Sequence, residues 1–174
     1  HWFKWEAYLT WITGVSLLIV VYYFNARAYL IDPSLVELAS WQAIAVGIGT
    51  LAISWLGYDA LCRSPLGSMP KAFTLVGFAF ATLIAWGLTQ VFSDRAAYIH
   101  VGAAIGTIMA GNVFFVIIPS QRHMVNALLE GEAPDNTHGH DGALRSLHNN
   151  YLTLPVLFIM ISNHFPMTYG HHYN

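Results

Sequence analysis

The sequence predicts an all-α integral membrane protein, a bundle of about five transmembrane helices that is a fragment of a larger multi-span domain. Three observations carry this. Of 174 residues, 56% are hydrophobic and 9% are charged, whereas soluble domains carry roughly 25% Asp, Glu, Lys and Arg. So few charges cannot cover a soluble fold of this size. Aromatic residues make up 14%, with 6 Trp and 9 Tyr, and these two residue types favour membrane–water interfaces. The apolar residues come in long unbroken runs, not in alternation. That pattern excludes a barrel and leaves helices, which satisfy their own backbone groups in lipid.

The spans follow in order, as one membrane domain over residues 1–174. The first runs over about 5–24 and opens on an aromatic and lysine anchor, His1 to Glu6. A mixed connection with Asp32-Pro33 leads to the second, over 41–58. Residues 59–70 contain two prolines and break the pattern. The third covers 71–92 and ends at a turn, Ser93-Asp94-Arg95. The fourth covers 96–118 and is expected to end at Pro119. Residues 120–147 then read as a long polar loop, and the fifth span covers 149–165. Gly102, Gly106, Ala110 and Gly111 let a neighbouring helix approach the fourth span closely. This span is therefore expected at the centre of the bundle.

Lys4, Arg63, Lys71, Arg122 and Arg145 fall on one side, and Arg27 and Arg95 on the other. The basic excess puts the first side, with loop 120–147, in the cytoplasm. The expected location is a bacterial inner (cytoplasmic) membrane. The tail His171-His172 then lies on the opposite face. The lipid bilayer is the first partner, and other membrane subunits are further ones. With a net charge of −2 and no basic patch, nucleic acid is not a partner. Cys62 is the one cysteine. It excludes an internal disulfide and a C-x-x-C-H haem attachment.

Nine His beside seven Lys plus Arg is the first functional hint. His100 and His164 are expected near one face, and His123 and His148 near the other. Two histidines from different helices at one depth are what a b-type haem needs, so these four are candidate cofactor ligands; the plainer reading places them in the headgroup region. His138 and His140, with Asp141, offer a transition-metal site. His140 and Asp141 also offer acid–base chemistry near neutral pH, and Arg122 can grip an anion with two parallel hydrogen bonds. His140, Asp141 and Arg122 are thus the catalytic candidates. Asn149 and Asn150 read as helix caps.

HWFKWEAYLTW at 1–11, AAYIHVGAAIGTIMAGNVFFVIIPSQRHMV at 96–125 and HGHDGALRSLHNNYLTLPVLFIMISNHFPMTYGHH at 138–172 resemble the bacterial membrane-bound urate oxidase family. Its members join an N-terminal membrane domain to a C-terminal cytochrome c domain. The resemblance implies oxidation of urate to 5-hydroxyisourate, with cytochrome c as electron acceptor, in purine breakdown. It carries over no catalytic residue. This chain holds no cytochrome c domain, so the alternative is a non-catalytic scaffold or accessory subunit of a respiratory or photosynthetic complex. A transporter, with helices broken at the midplane, ranks last because the prolines read as lying at helix ends.

Overall fold

A computed structural model describes residues 2–133 and 136–170; the side chains of Phe3, Asn136 and His138 lie outside the described set. The helices are α1 (Trp2–Leu18), α2 (Ala26–Tyr29), α3 (Ser40–Arg63), α4 (Pro70–Thr89), α5 (Asp94–Asn112), α6 (Ile118–Leu129) and α7 (Asn136–Ser162). No strand occurs among the described residues. Among the described residues, four helical segments are long and apolar enough to cross a membrane: Lys4–Tyr23, Ser40–Arg63, Pro70–Thr89 and Asp94–Leu129. The protein is an all-α membrane bundle.

Large apolar side chains point outward, as a bilayer requires and water forbids. On α4, Leu75, Phe78, Leu83 and Trp86 are all more than 60% exposed. Their three- to five-residue spacing makes one stripe, which lipid covers. Lipid gives apolar side chains no reason to associate, so packing rests on small residues and polar contacts. α5 shows this best: it packs against α1, α3, α4 and α7. A Cβ on Gly102 would lie 2.7 Å from Ile159 of α7, and one on Gly111 would lie 2.7 Å from Trp55 of α3. The expected central helix is therefore central, although Gly106 meets nothing within 4 Å.

Three expectations are corrected. The helix does not stop at Pro119. A π-helical turn, Val113–Ile117, joins α5 to α6, and Pro119 is the second residue of α6. A proline is tolerated where its missing N–H is not needed, and the displaced hydrogen bonds of a π turn supply such a place. The continuous helix of 36 residues is about 54 Å long at ~1.5 Å per residue, well beyond a ~30 Å hydrocarbon layer. Residues 120–147 are accordingly helical apart from the short connection after Leu129, and α7 begins at Asn136. Nor do prolines mark only helix ends, because Pro155 sits inside α7.

α7 runs antiparallel to α5 and α6 in a single register. Gly102 faces Ile159, Ser120 faces Gly142, and Met124 faces Gly139. Tyr98 shares a 2.6 Å hydrogen bond with Ser162, and Arg95 Nε donates to Asn163 at 3.2 Å. The second half of α7 carries the expected fifth span, but α7 is not among the four most apolar segments. The residues that lower its hydropathy, Arg145, His148 and Asn149, face other helices and not lipid.

At the opposite end, Ser93 ties the α4–α5 turn to the α2 segment. Its amide donates to Leu30 and its hydroxyl to Tyr29. Asp32 is gripped by the amide and hydroxyl of Ser34, which holds its carboxyl below the usual range.

Gly47 on α3 has no room for a side chain, since a Cβ would lie 2.6 Å from Tyr23 Oη and 2.9 Å from His100 Nε2. Gly47→Ala is expected to cost about 1–3 kcal/mol through overpacking. Gly49→Ala, on the same helix with nothing within 4 Å, should be neutral or slightly stabilising. Thermal unfolding of the two variants in detergent checks the difference.

Candidate functional site: two buried histidine nodes

Two polar nodes lie inside the bundle, one near each end of α5. Each joins a tyrosine to a histidine, and each adjoins a π-helical turn. Such turns recur at functional sites because they re-aim the side chains beside them.

The first node is His100 of α5, which is fully buried. Its Nδ1 lies 2.7 Å from the Ala96 carbonyl. A carbonyl only accepts, so Nδ1 carries the proton. Nε2 then accepts from the Tyr23 hydroxyl at 3.1 Å. Tyr23 closes the π turn Ile19–Tyr23 at the end of α1. The Phe92 ring packs 4.8 Å from the imidazole, centroid to centroid. Both ring nitrogens are engaged inside the protein.

The second node is larger and joins α3, α5 and α7. Arg145 of α7 is 5% exposed. Its Nη2 donates to Asp59 Oδ1 at 2.6 Å and its Nη1 to Asn112 Oδ1 at 3.2 Å. The guanidinium also lies 5.0 Å from the Tyr58 ring and 6.0 Å from the Trp55 ring, at cation–π range. The second oxygen of Asp59 takes a 2.6 Å contact from the exposed Arg63. Asn112, the last residue of α5 before the π turn, is fully buried. Its Nδ2 donates to Tyr58 Oη at 3.2 Å and to Asn149 Oδ1 at 2.9 Å. Asn149 in turn donates to the Met109 carbonyl at 3.0 Å. Tyr58 Oη lies 2.8 Å from His148 Nδ1. Phe73, at the start of α4, stacks on the His148 ring at 4.8 Å, and the Cys62 sulfur is 4.0 Å from Nδ1.

The residues singled out from sequence distribute unevenly. His148 belongs to the second node and His100 to the first. Arg122 and His123 are exposed on α6. His140 and Asp141 are neighbours on α7, their side chains 77% and 66% exposed and 3.9 Å apart. His164 is exposed in the turn after α7. The side chain of His138 and residues His171 and His172 lie outside the described set.

The structure places the paired histidines at different levels or facings. His148 stands at the level of Asn112, whereas His123 adjoins Met124, which faces Gly139. Nine residues of α7 separate those levels, about 13 Å at ~1.5 Å per residue. The straight continuation of α6 past Pro119 carries His123 away. His164 lies just past Asn163, which meets Arg95, while His100 is turned inward. Among the described residues, no three His, Cys, Asp or Glu gather as a metal site.

Sequence reasoning missed Tyr58, Asp59, Asn112 and Arg145. The available signal was an Asn inside an apolar run, since polar groups at membrane depth need partners. Asn149 is not a cap, because it lies mid-helix.

The family model described as "Urate oxidase N-terminal" matches residues 1–174. The chain belongs to that family. No curated protein and no solved structure matches it.

Removing Asp59 strands a buried guanidinium. Asp59→Leu is expected to cost about 3–5 kcal/mol. Arg63→Leu, at a side chain 68% exposed, should cost at most about 1 kcal/mol. Equilibrium unfolding of both variants in detergent checks the contrast.

Proposed function

We propose that this member of the urate oxidase N-terminal family is the membrane part of an enzyme that oxidises urate to 5-hydroxyisourate and passes the electrons to cytochrome c. The observation that carries the reading is the family match over the whole chain. The second node supports it as the place where chemistry occurs. It is the larger of the two nodes, and in it Asn112 links a cation–carboxylate pair, Arg145 and Asp59, to a phenol–imidazole pair, Tyr58 and His148.

Urate is an anion near neutral pH, and forming 5-hydroxyisourate from uric acid takes up one water, which supplies the hydroxyl oxygen, and releases two protons along with two electrons. The end of the bundle that carries this node also carries Lys4, Arg63 and Lys71 at the ends of α1, α3 and α4. That basic rim attracts an anion and, by the positive-inside rule, faces the cytoplasm of a bacterial inner membrane. Exposed Arg122 and the His140–Asp141 pair stand further out along the α6–α7 hairpin, where they meet an arriving anion first.

No side chain in the node performs two-electron redox chemistry alone. We assign electron acceptance to the cytochrome c partner, and binding and proton handling to this chain.

Vesicles that contain the full-length protein should reduce cytochrome c on addition of urate, and Asn112→Leu should lower the rate at least about tenfold, on the scale of a lost general acid–base or orienting contact. Cytochrome c reduction is followed by absorbance. No urate-dependent reduction by the wild-type protein would leave the accessory-subunit reading in its place.

A further inference from the structure

The hydrogen bonds of the second node set a direction that delivers a proton toward His148. A guanidinium can only donate. Arg145 therefore points the carbonyl side of Asn112 toward itself, and the amide nitrogen of Asn112 must donate to Tyr58 and to Asn149. The far end agrees independently: Asn149 accepts through Oδ1 and donates through Nδ2 to the Met109 carbonyl, which can only accept. Tyr58 oxygen thus receives a hydrogen bond from Asn112, and its own proton goes to His148 Nδ1, 2.8 Å away. If Nδ1 carried the proton instead, the Tyr58 hydroxyl would have only the Cys62 sulfur to turn to, and sulfur is a weak acceptor.

Neutral His148 consequently bears its proton on Nε2. That atom has no hydrogen-bond partner among the described residues. Every buried side-chain nitrogen and oxygen that they contain has one, so Nε2 opens to the surroundings. The ring cannot swing away, because Phe73 stacks on its face and Tyr58 holds its other edge. The ring itself lies between the end of α3, at Tyr58 and Cys62, and the start of α4, at Phe73.

We infer that His148 Nε2–H is the donor that receives an anionic oxygen of the substrate, and that Tyr58, Asn112 and Arg145 are positioning residues that lock this tautomer. The inference rests on the urate reading above. The node thereby acquires a specific role, because a fixed N–H at a basic rim recognises a planar oxyanion. The same role explains why an arginine is buried three residues before His148, since it supplies the direction of the whole chain.

The test uses the full-length protein in nanodiscs. Two-bond proton–nitrogen correlation spectra of labelled histidine report the tautomer of His148. The wild type should show the Nε2–H form, and Tyr58→Phe should show a mixture. Equilibrium binding of urate is then compared among wild type, His148→Ala and His148→Gln, since glutamine places an amide N–H near the Nε2 position. Binding should weaken about tenfold in the alanine variant and stay within about threefold in the glutamine variant, on the scale of one hydrogen bond to a charged group. If His148→Ala fails to fold, the tautomer in wild type and Tyr58→Phe still decides. An Nδ1–H tautomer in the wild type overturns the inference, as does equal urate binding with and without the imidazole. A wild type that neither binds nor oxidises urate overturns the proposed function and the substrate assignment together. A wild type that oxidises urate while either of the first two results holds overturns this inference alone.

Discussion

Arg145 carries a full positive charge into a helix bundle where it is 5% exposed. Several kcal/mol are needed to strip water from such an ion, and the protein must offset this with partners of good geometry. It does so from two helices at once, with the Asp59 carboxylate on α3 and the Asn112 carbonyl oxygen on α5. That requirement sets the relative height of three helices. Asn149 then clasps the backbone of α5 at Met109, one helical turn below Asn112. Small residues fix how near the helices come, at Gly102 and Gly111. Arg145 fixes how far they slide.

The same constraint passes information along the node. A chain of amides and hydroxyls has two possible directions unless something at its end cannot reverse. Here the guanidinium at one end and a backbone carbonyl at the other allow only one. The first node shows the same logic on a smaller scale, where the Ala96 carbonyl sets the tautomer of His100 and Tyr23 donates to the nitrogen left over. Both nodes adjoin a π turn, Ile19–Tyr23 in one case and Val113–Ile117 in the other. A π turn rotates the residues that flank it out of the normal helical sequence. Tyr23 and Asn112 are therefore aimed inward from helices whose other faces meet lipid.

Much of the fold was legible in the sequence, for a physical reason. A lipid-facing span must be apolar over its whole length, so the spans near 5–24, 41–58, 71–92 and 96–118 all correspond to helices. Pro119 was misleading because its effect depends on the hydrogen-bond pattern before it, and a π turn has no hydropathy signature. The extension of that helix through α6 sets His123 further along the hairpin than a helix ending at Pro119 would. The site was less legible. Histidines draw notice by their chemistry, but the residues that orient them here are an Asn within an apolar run, an Asp and a Tyr at the end of α3, and an Arg counted only toward the basic excess that sets orientation. Their roles come from register between helices, which no single segment encodes.

The most direct test is the coupling energy between Arg145 and Asn112, from equilibrium unfolding of Arg145→Met, Asn112→Leu and the double variant in detergent. If the guanidinium organises the node through Asn112, the two losses should fall short of additivity by about 1–3 kcal/mol, the range for residues in one hydrogen-bonded network. Losses that add to within about 0.5 kcal/mol would show that the two residues act independently, and a single directed network would be ruled out.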